Sequence, residues 1–182
     1  MEYTILIVGH RTGIGRSIAE LMLNSGHSVL GISREVCDYS HENLTSLTCN
    51  IAEIDDSLIP ENLSGFVYCP GTINLKPFRS LKIQDFQDDF EINALGAASA
   101  LQKVERSIKS GKGSVILFST VAVGQGMPFH ASVAMAKGAV EGLGKSLAAE
   151  WAPNVRVNVI APSLTDTPMA SKLLGNESRR EA

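Results

Sequence analysis

No stretch of this 182-residue chain is apolar for long enough to span a bilayer, so a membrane-crossing helix is not expected. The first strand pattern begins at Tyr3, which leaves no room for a cleaved leader. Lys and Arg are nowhere clustered and the net charge is −3, so the basic footprint of a nucleic-acid or anionic-membrane binder is missing. Cys37, Cys49 and Cys69 are the only cysteines, and their spacing fits no metal site. An odd number of Cys without a leader reads as free thiols in a reducing, cytoplasmic setting. Low complexity, internal repeats and linkers are also absent. With 44% hydrophobic and 19% charged residues the composition is that of an ordinary globular protein, and residues 1–182 are read as one domain.

Against these absences stands one dense signal. The β-branched run Tyr3–Val8 ends in Gly9-His10-Arg11-Thr12-Gly13-Ile14-Gly15 and is followed by a helical pattern. This is the sequence form of a strand, a tight turn and a helix N-terminus. Glycines let the backbone turn sharply and approach a ligand, while the free N–H groups and dipole of the helix favour phosphate. The spacing is G-x-x-x-G-x-G rather than the general dinucleotide fingerprint G-x-G-x-x-G, so the loop needs support from the rest of the chain.

That support comes from order. Ile14, Ile18, Leu21 and Met22 recur at helical spacing, and Asn24-Ser25-Gly26 closes the helix. Further strands are expected at Ser28–Ile32, Leu44–Cys49, Gly65–Cys69, Gly113–Ser119 and Val155–Ile160. Residues 83–109 read as one or two helices, the second starting near Asn93, and another helix is expected from Ala131 to Trp151. Alternating strands and helices predict an α/β fold, a three-layer, doubly wound parallel sheet of the Rossmann type. Ligands of such sheets bind at the C-terminal ends of the strands. Those ends carry Gly9–Gly15, Ser33-Arg34, Asn50-Ile51, Cys69-Pro70-Gly71, Ser119-Thr120 and Pro162–Thr167.

These motifs, in this order, resemble those of the short-chain dehydrogenase/reductase family over essentially the whole chain. The glycine loop is similar to the family's TGxxxGIG, with Val8 for the Thr. Cys69-Pro70-Gly71 stands in place of Asn-Ala-Gly. Asn93 matches the helix asparagine, Thr120 the strand-five serine, and Lys137 the lysine of Tyr-x-x-x-Lys. Asn154–Pro162 resembles the sixth strand, and Ser163–Thr167 the Pro-Gly-x-x-x-Thr loop with Ser for Gly. Family members continue with a further helix and a seventh strand. The expectation here is a sheet without them, the chain ending within the substrate-lid region that starts at Met169.

The resemblance implies a nicotinamide dinucleotide held by Gly9, Arg11, Thr12, Gly13, Ile14 and Gly15 at the phosphates and by Ser33 and Arg34 at the adenosine ribose. Asn50 and Ile51 would lie at the adenine, Cys69, Pro70 and Gly71 along the crevice wall, Lys137 at the nicotinamide ribose, and Pro162 and Thr167 at the carboxamide. An acid after strand two would select NAD. Arg34, with Arg11 as a second cation, favours NADP over NAD, unless Arg34 is only a solvated loop residue.

In the family, Tyr protonates the product oxygen, Lys lowers the Tyr pKa, Ser steadies the carbonyl and Asn holds a water. Asn93, Thr120 and Lys137 fill three of these catalytic positions, but Val133 fills that of Tyr and cannot donate a proton. His130, seven positions before Lys137, lies about 20° from it around the helix axis. The same seven-residue separation places Tyr in the superfamily's enoyl-thioester reductases. His130 therefore reads either as a substitute acid or as a plain helix-start residue. Thr120 could simply cap a turn and Asn93 a helix.

Two functions are expected. One is an NADP(H)-dependent oxidoreductase delivering hydride to a C=O or activated C=C of a small molecule. The other is a catalytically weak dinucleotide-binding sensor or partner subunit. The small-residue helix Ala131–Ala149 resembles the helix that pairs subunits in the family, which implies a homodimer or homotetramer.

Overall fold

A computed structural model describes residues 3–171, 173 and 175. Strand β1 (Thr4–Val8) leads through the glycine loop into α1 (Gly13–Asn24), and β2 (Ser28–Ser33) and β3 (Leu44–Thr48) follow. After two single turns come β4 (Gly65–Tyr68) and α2 (Ile83–Phe90), which passes through a π-helical turn, Glu91–Leu95, into α3 (Gly96–Ser110). Then β5 (Ser114–Phe118), short α4 (Val121–Gln125), long α5 (Ala131–Trp151) and β6 (Arg156–Ile160) complete the regular elements.

All strand pairs are parallel, in the order β3-β2-β1-β4-β5-β6. Chain order therefore reverses between β1 and β4, and that switch point opens a crevice at the strand C-termini. The register aligns the strand ends there. Val8 pairs with both Ile32 and Tyr68, Tyr68 with Leu117, and Leu117 with Val159.

Alternate residues of the central strands feed two cores, as the period of two requires. Leu6, Val8, Phe66, Tyr68, Val115 and Leu117 pack beneath α3 and α5, while Ile5, Ile7, Val29 and Val67 pack against α1. Fully burying each large aliphatic side chain contributes roughly 1.5–3 kcal/mol. In α1 the inward face is Gly15, Ala19 and Leu23; Leu21 is exposed and Ile18 and Met22 are half-buried. The helix is turned so that small residues allow close contact with the sheet.

The run 83–110 is continuous rather than two separate helices. Asn93 is therefore not a cap; it sits, 1% exposed, inside the π turn. The wider turn leaves the Ile92 carbonyl free to accept from the Tyr68 hydroxyl at 2.8 Å. Strand β6 has β5 as its one neighbour among the described residues. The region read as a lid, from Met169 onward, falls outside the described residues from 176 to 182 and at 172 and 174.

Candidate active site

The glycine loop is pinned from both sides. Gly9 N–H donates to Ile32 O on β2 at 2.7 Å, and Cys69 N–H donates to Val8 O at 3.0 Å. Gly9 (φ +83°) and Gly13 (φ +57°) are in the left-handed region that favours glycine. A Cβ on Gly15 would collide with the Gly9 carbonyl, so only glycine lets α1 start this close to the turn. Thr12 is the N-cap of α1, yet its hydroxyl makes no capping bond, so the first-turn N–H groups are left without a side-chain partner. The loop after β6 arrives over this cradle, with Thr167 Cγ2 3.3 Å from the Cβ position of Gly13. Thr167 also caps the turn Pro168–Ala170, and Pro162 O accepts from Val121 N–H at 3.2 Å, tying the ends of β5 and β6 together.

At the end of β2, Ser33 is buried and its hydroxyl donates to Glu35 O at 2.7 Å. Arg34 is exposed and pairs with no carboxylate among the described residues. Arg11 is engaged by Glu35, an acid that lies one residue beyond the position inspected in the sequence. Asn50 Oδ1 accepts from Ala52 N–H at 3.2 Å, whereas the Ile51 side chain belongs to the core, so only its backbone can face the crevice.

Beyond the switch point two side chains converge on Gly71. A Cβ there would lie 3.2 Å from Asn93 Oδ1 and 3.4 Å from Lys137 Nζ. Lys137, on the inner face of α5, is 9% exposed and makes no ion pair among the described residues. Burial pulls its ammonium down from 10.5 to about 8, opposed by Cys69, whose own thiol burial pushes up to about 12. Asn93 Nδ2 donates to Asp89 O at 2.7 Å and to Thr72 Oγ1 at 2.9 Å. Cys69 packs against Gly9 and Gly15, linking this cluster to the glycine loop, with Pro70 beside it.

Directly after β5, Ser119 is turned toward α5, where its hydroxyl donates to Glu141 Oε1 at 2.7 Å. Thr120 Oγ1 accepts from Ala122 N–H at 3.3 Å and so caps α4, but a lone pair does this and its O–H remains free to donate. His130 is the N-cap residue of α5 without capping it through its side chain. Its Nδ1 instead meets Pro128 O at 2.7 Å, which assigns that nitrogen as the donor. Phe129, just before it, has φ +68°, a strained backbone for a bulky residue, and its carbonyl accepts from Lys76 N–H at 3.2 Å. Val133, one helical turn before Lys137, is 6% exposed.

A family model described as Enoyl-(Acyl carrier protein) reductase matches residues 36–182. The chain belongs to the short-chain dehydrogenase/reductase family. Within this family of oxidoreductases it is 28% identical over 198 residues to a 2,5-dichloro-2,5-cyclohexadiene-1,4-diol dehydrogenase of Sphingobium indicum, spanning 98% of this chain and 78% of that protein. It is 30% identical over 207 residues to a tropinone reductase homolog of Arabidopsis thaliana, spanning 97% of this chain and 76% of the other. The fold matches that of a solved structure described as ElxO with NADP bound, at 21% identity and a TM-score of 0.83, over 96% of this chain and 79% of that one.

Family motifs thus sit where the topology gathers them. Cys69 meets Gly9 and Gly15, Thr167 meets Gly13, and Asn93 and Lys137 meet at Gly71, while Arg34 follows β2, Thr120 follows β5 and His130 starts α5. Sequence reading did not single out Glu35, Thr72 or Asp89. Glu35 was recoverable, standing directly after Arg34; the other two act through contacts that no sequence spacing reports.

Proposed function

We propose that this chain is an NADP(H)-dependent oxidoreductase acting on a C=O or activated C=C of a small molecule. The observation that carries this is Lys137. A buried cation without an ion pair is costly, and a fold retains one where a ligand needs it. The cradle also fits the cofactor. Side chains are missing from Gly9, Gly13 and Gly15, and the α1 N-terminus is uncapped, which suits a pyrophosphate. In this reading Gly9, Arg11, Thr12, Gly13, Ile14 and Gly15 hold the phosphates, and Ser33 and Arg34 the adenosine ribose. Asn50 and the Ile51 backbone face the adenine, Cys69, Pro70 and Gly71 form the wall, Lys137 meets the nicotinamide ribose, and Pro162 and Thr167 the carboxamide. When bound, the dinucleotide supplies the hydride.

The protein's residues do the rest. Thr120 donates its free O–H to the substrate oxygen, and Lys137 lends positive charge beside it. Val133 takes the place the family gives to Tyr, so protonation falls to His130 in its doubly protonated form, which gives up the Nε2 proton and keeps Nδ1–H on Pro128 O. The enoyl-reductase description of the matching family model makes enoyl thioesters the first substrates to try. NADPH consumption with enoyl thioesters, ketones and quinones tests the reading. Turnover on one class, with His130→Ala lowering kcat by about 10²–10⁴, supports it; no turnover on any class overturns it.

NADP over NAD rests on Arg34, which is exposed and without a carboxylate partner among the described residues. Arg34→Asp should weaken NADPH binding by about tenfold or more while sparing NADH, and equal loss of both overturns that preference. Val133 supports a second reading, a dinucleotide-binding sensor or partner subunit, marked by tight NADPH binding without turnover. We also infer a homodimer or homotetramer through α5. A Cβ on Gly142 would meet nothing within 4 Å, leaving a flat strip open to a second helix.

A further inference from the structure

One buried carboxyl group, joined to Asn93 through Thr72, takes no part in the proposed chemistry. Asp89, in the last turn of α2, is 2% exposed, and its Oδ2 has no hydrogen-bond partner. Its Oδ1 accepts from the Thr72 hydroxyl at 2.6 Å. A carboxylate only accepts, so the Thr72 proton must point at Asp89 and the Thr72 oxygen can only accept from elsewhere. It accepts from Asn93 Nδ2 at 2.9 Å. The second amide proton of Asn93 goes to Asp89 O at 2.7 Å, so both donors of that amide are committed on the side away from Lys137. A flipped amide would set its oxygen against two acceptors. Asn93 Oδ1 is therefore turned toward Gly71, where it is buried without a partner and shares the approach to the Gly71 Cβ position with Lys137 Nζ.

We infer that Asp89 is a positioning residue that, through Thr72, fixes the Asn93 amide so that an acceptor rather than a donor faces Lys137. The polarity runs in one direction along Asp89, Thr72 and Asn93, each group setting the hydrogen-bond sense of the next, and ends at an Asn93 Oδ1 that shares the approach to Gly71 with Lys137 Nζ. Its outcome is an acceptor turned toward the space that Lys137 Nζ also approaches, where the ammonium has no ion-pair partner among the described residues. The titratable group facing Lys137 from the sheet is Cys69, which burial keeps as a neutral thiol. On the helix of Asp89, Asp85 is taken by Lys76 and Asp88 by Gln84. This assignment rests on the proposed role of Lys137 in holding the nicotinamide ribose.

The test reads Lys137 directly in the ligand-free protein, from the pH dependence of its acetylation rate measured by mass spectrometry. Thr72→Val, nearly isosteric and unable to relay, should lower the Lys137 titration midpoint by about half a pH unit or more. Asp89→Asn should do the same, whereas Thr72→Ser should leave the midpoint where it is in the parent protein. A merely structural Asp89 would lower the melting temperature without moving the midpoint, and that result overturns the inference. The Thr72→Val and Thr72→Ser pair decides the matter even if Asp89→Asn does not fold. NADPH titration of the parent protein runs alongside: absent binding there defeats the proposed function, while normal binding with an unmoved midpoint defeats only the role of Asp89.

Discussion

Lys137 is the residue at which folding and function pull apart. Its ammonium titrates near 8 in the folded protein against 10.5 when free, because burial disfavours the charge. The unfolded chain therefore binds that proton more tightly, and folding carries the full penalty at every pH below about 8. The penalty fades as pH rises from about 8 to about 10.5, and in total it amounts to at most about 3 kcal/mol. Lys137→Met, of similar shape, should thus stabilise the ligand-free protein at pH 7 and lose that advantage by about pH 10.5. Urea unfolding of both proteins across this range checks it, and parallel stability curves would contradict the origin assigned to the shift. Lys137, Asn93 and Thr120 were legible in the sequence through the order and spacing of motifs that resemble the family's. Asp89 and Thr72 were not, since a buried polar relay depends on which side chains meet across α2 and the loop after β4. Asn93 shows the same limit. Its place in the site was readable, but the π turn that buries it depends on Tyr68 reaching Ile92 O.

At the scale of elements, the junction of β1 and α1 is held by a second contact that the glycine pattern did not announce. The His10 ring is fully buried over Gly31 of β2, with Nε2 2.9 Å from Ser46 Oγ on β3. The Tyr39 hydroxyl donates to His10 O, and Arg16 stands over the Tyr39 ring at 4.7 Å. A Cβ on Gly31 would enter the His10 ring, so this glycine in mid-strand exists for the histidine. Gly31→Ala should cost about 1–3 kcal/mol, and far less in a His10→Ala background. Thermal unfolding of the two single variants and the double variant reads that coupling; strictly additive losses would contradict it. The succession of strands and helices was legible because turn signals and apolar runs alternate so regularly. The orientation of α1 was not, because Ala19 and Gly15, rather than the larger Leu21, make its contact with the sheet.

For the whole molecule, the six parallel strands and their order bring motifs separated by more than half the chain to one crevice. Gly13 and Thr167 meet there, as do Gly71, Asn93 and Lys137. Among the described residues no helix is long and apolar enough to cross a membrane, and no group of His, Cys, Asp or Glu is placed to hold a metal ion. The central claim is that this crevice holds a nicotinamide dinucleotide through Lys137. It is tested most directly by titrating NADPH and NADH into the protein and into Lys137→Met while following nicotinamide fluorescence. The account predicts saturable binding of one molecule per chain, tighter for NADPH, and weaker in the variant by about tenfold or more. Absence of saturable binding for either dinucleotide, or an unchanged affinity in Lys137→Met, would contradict it.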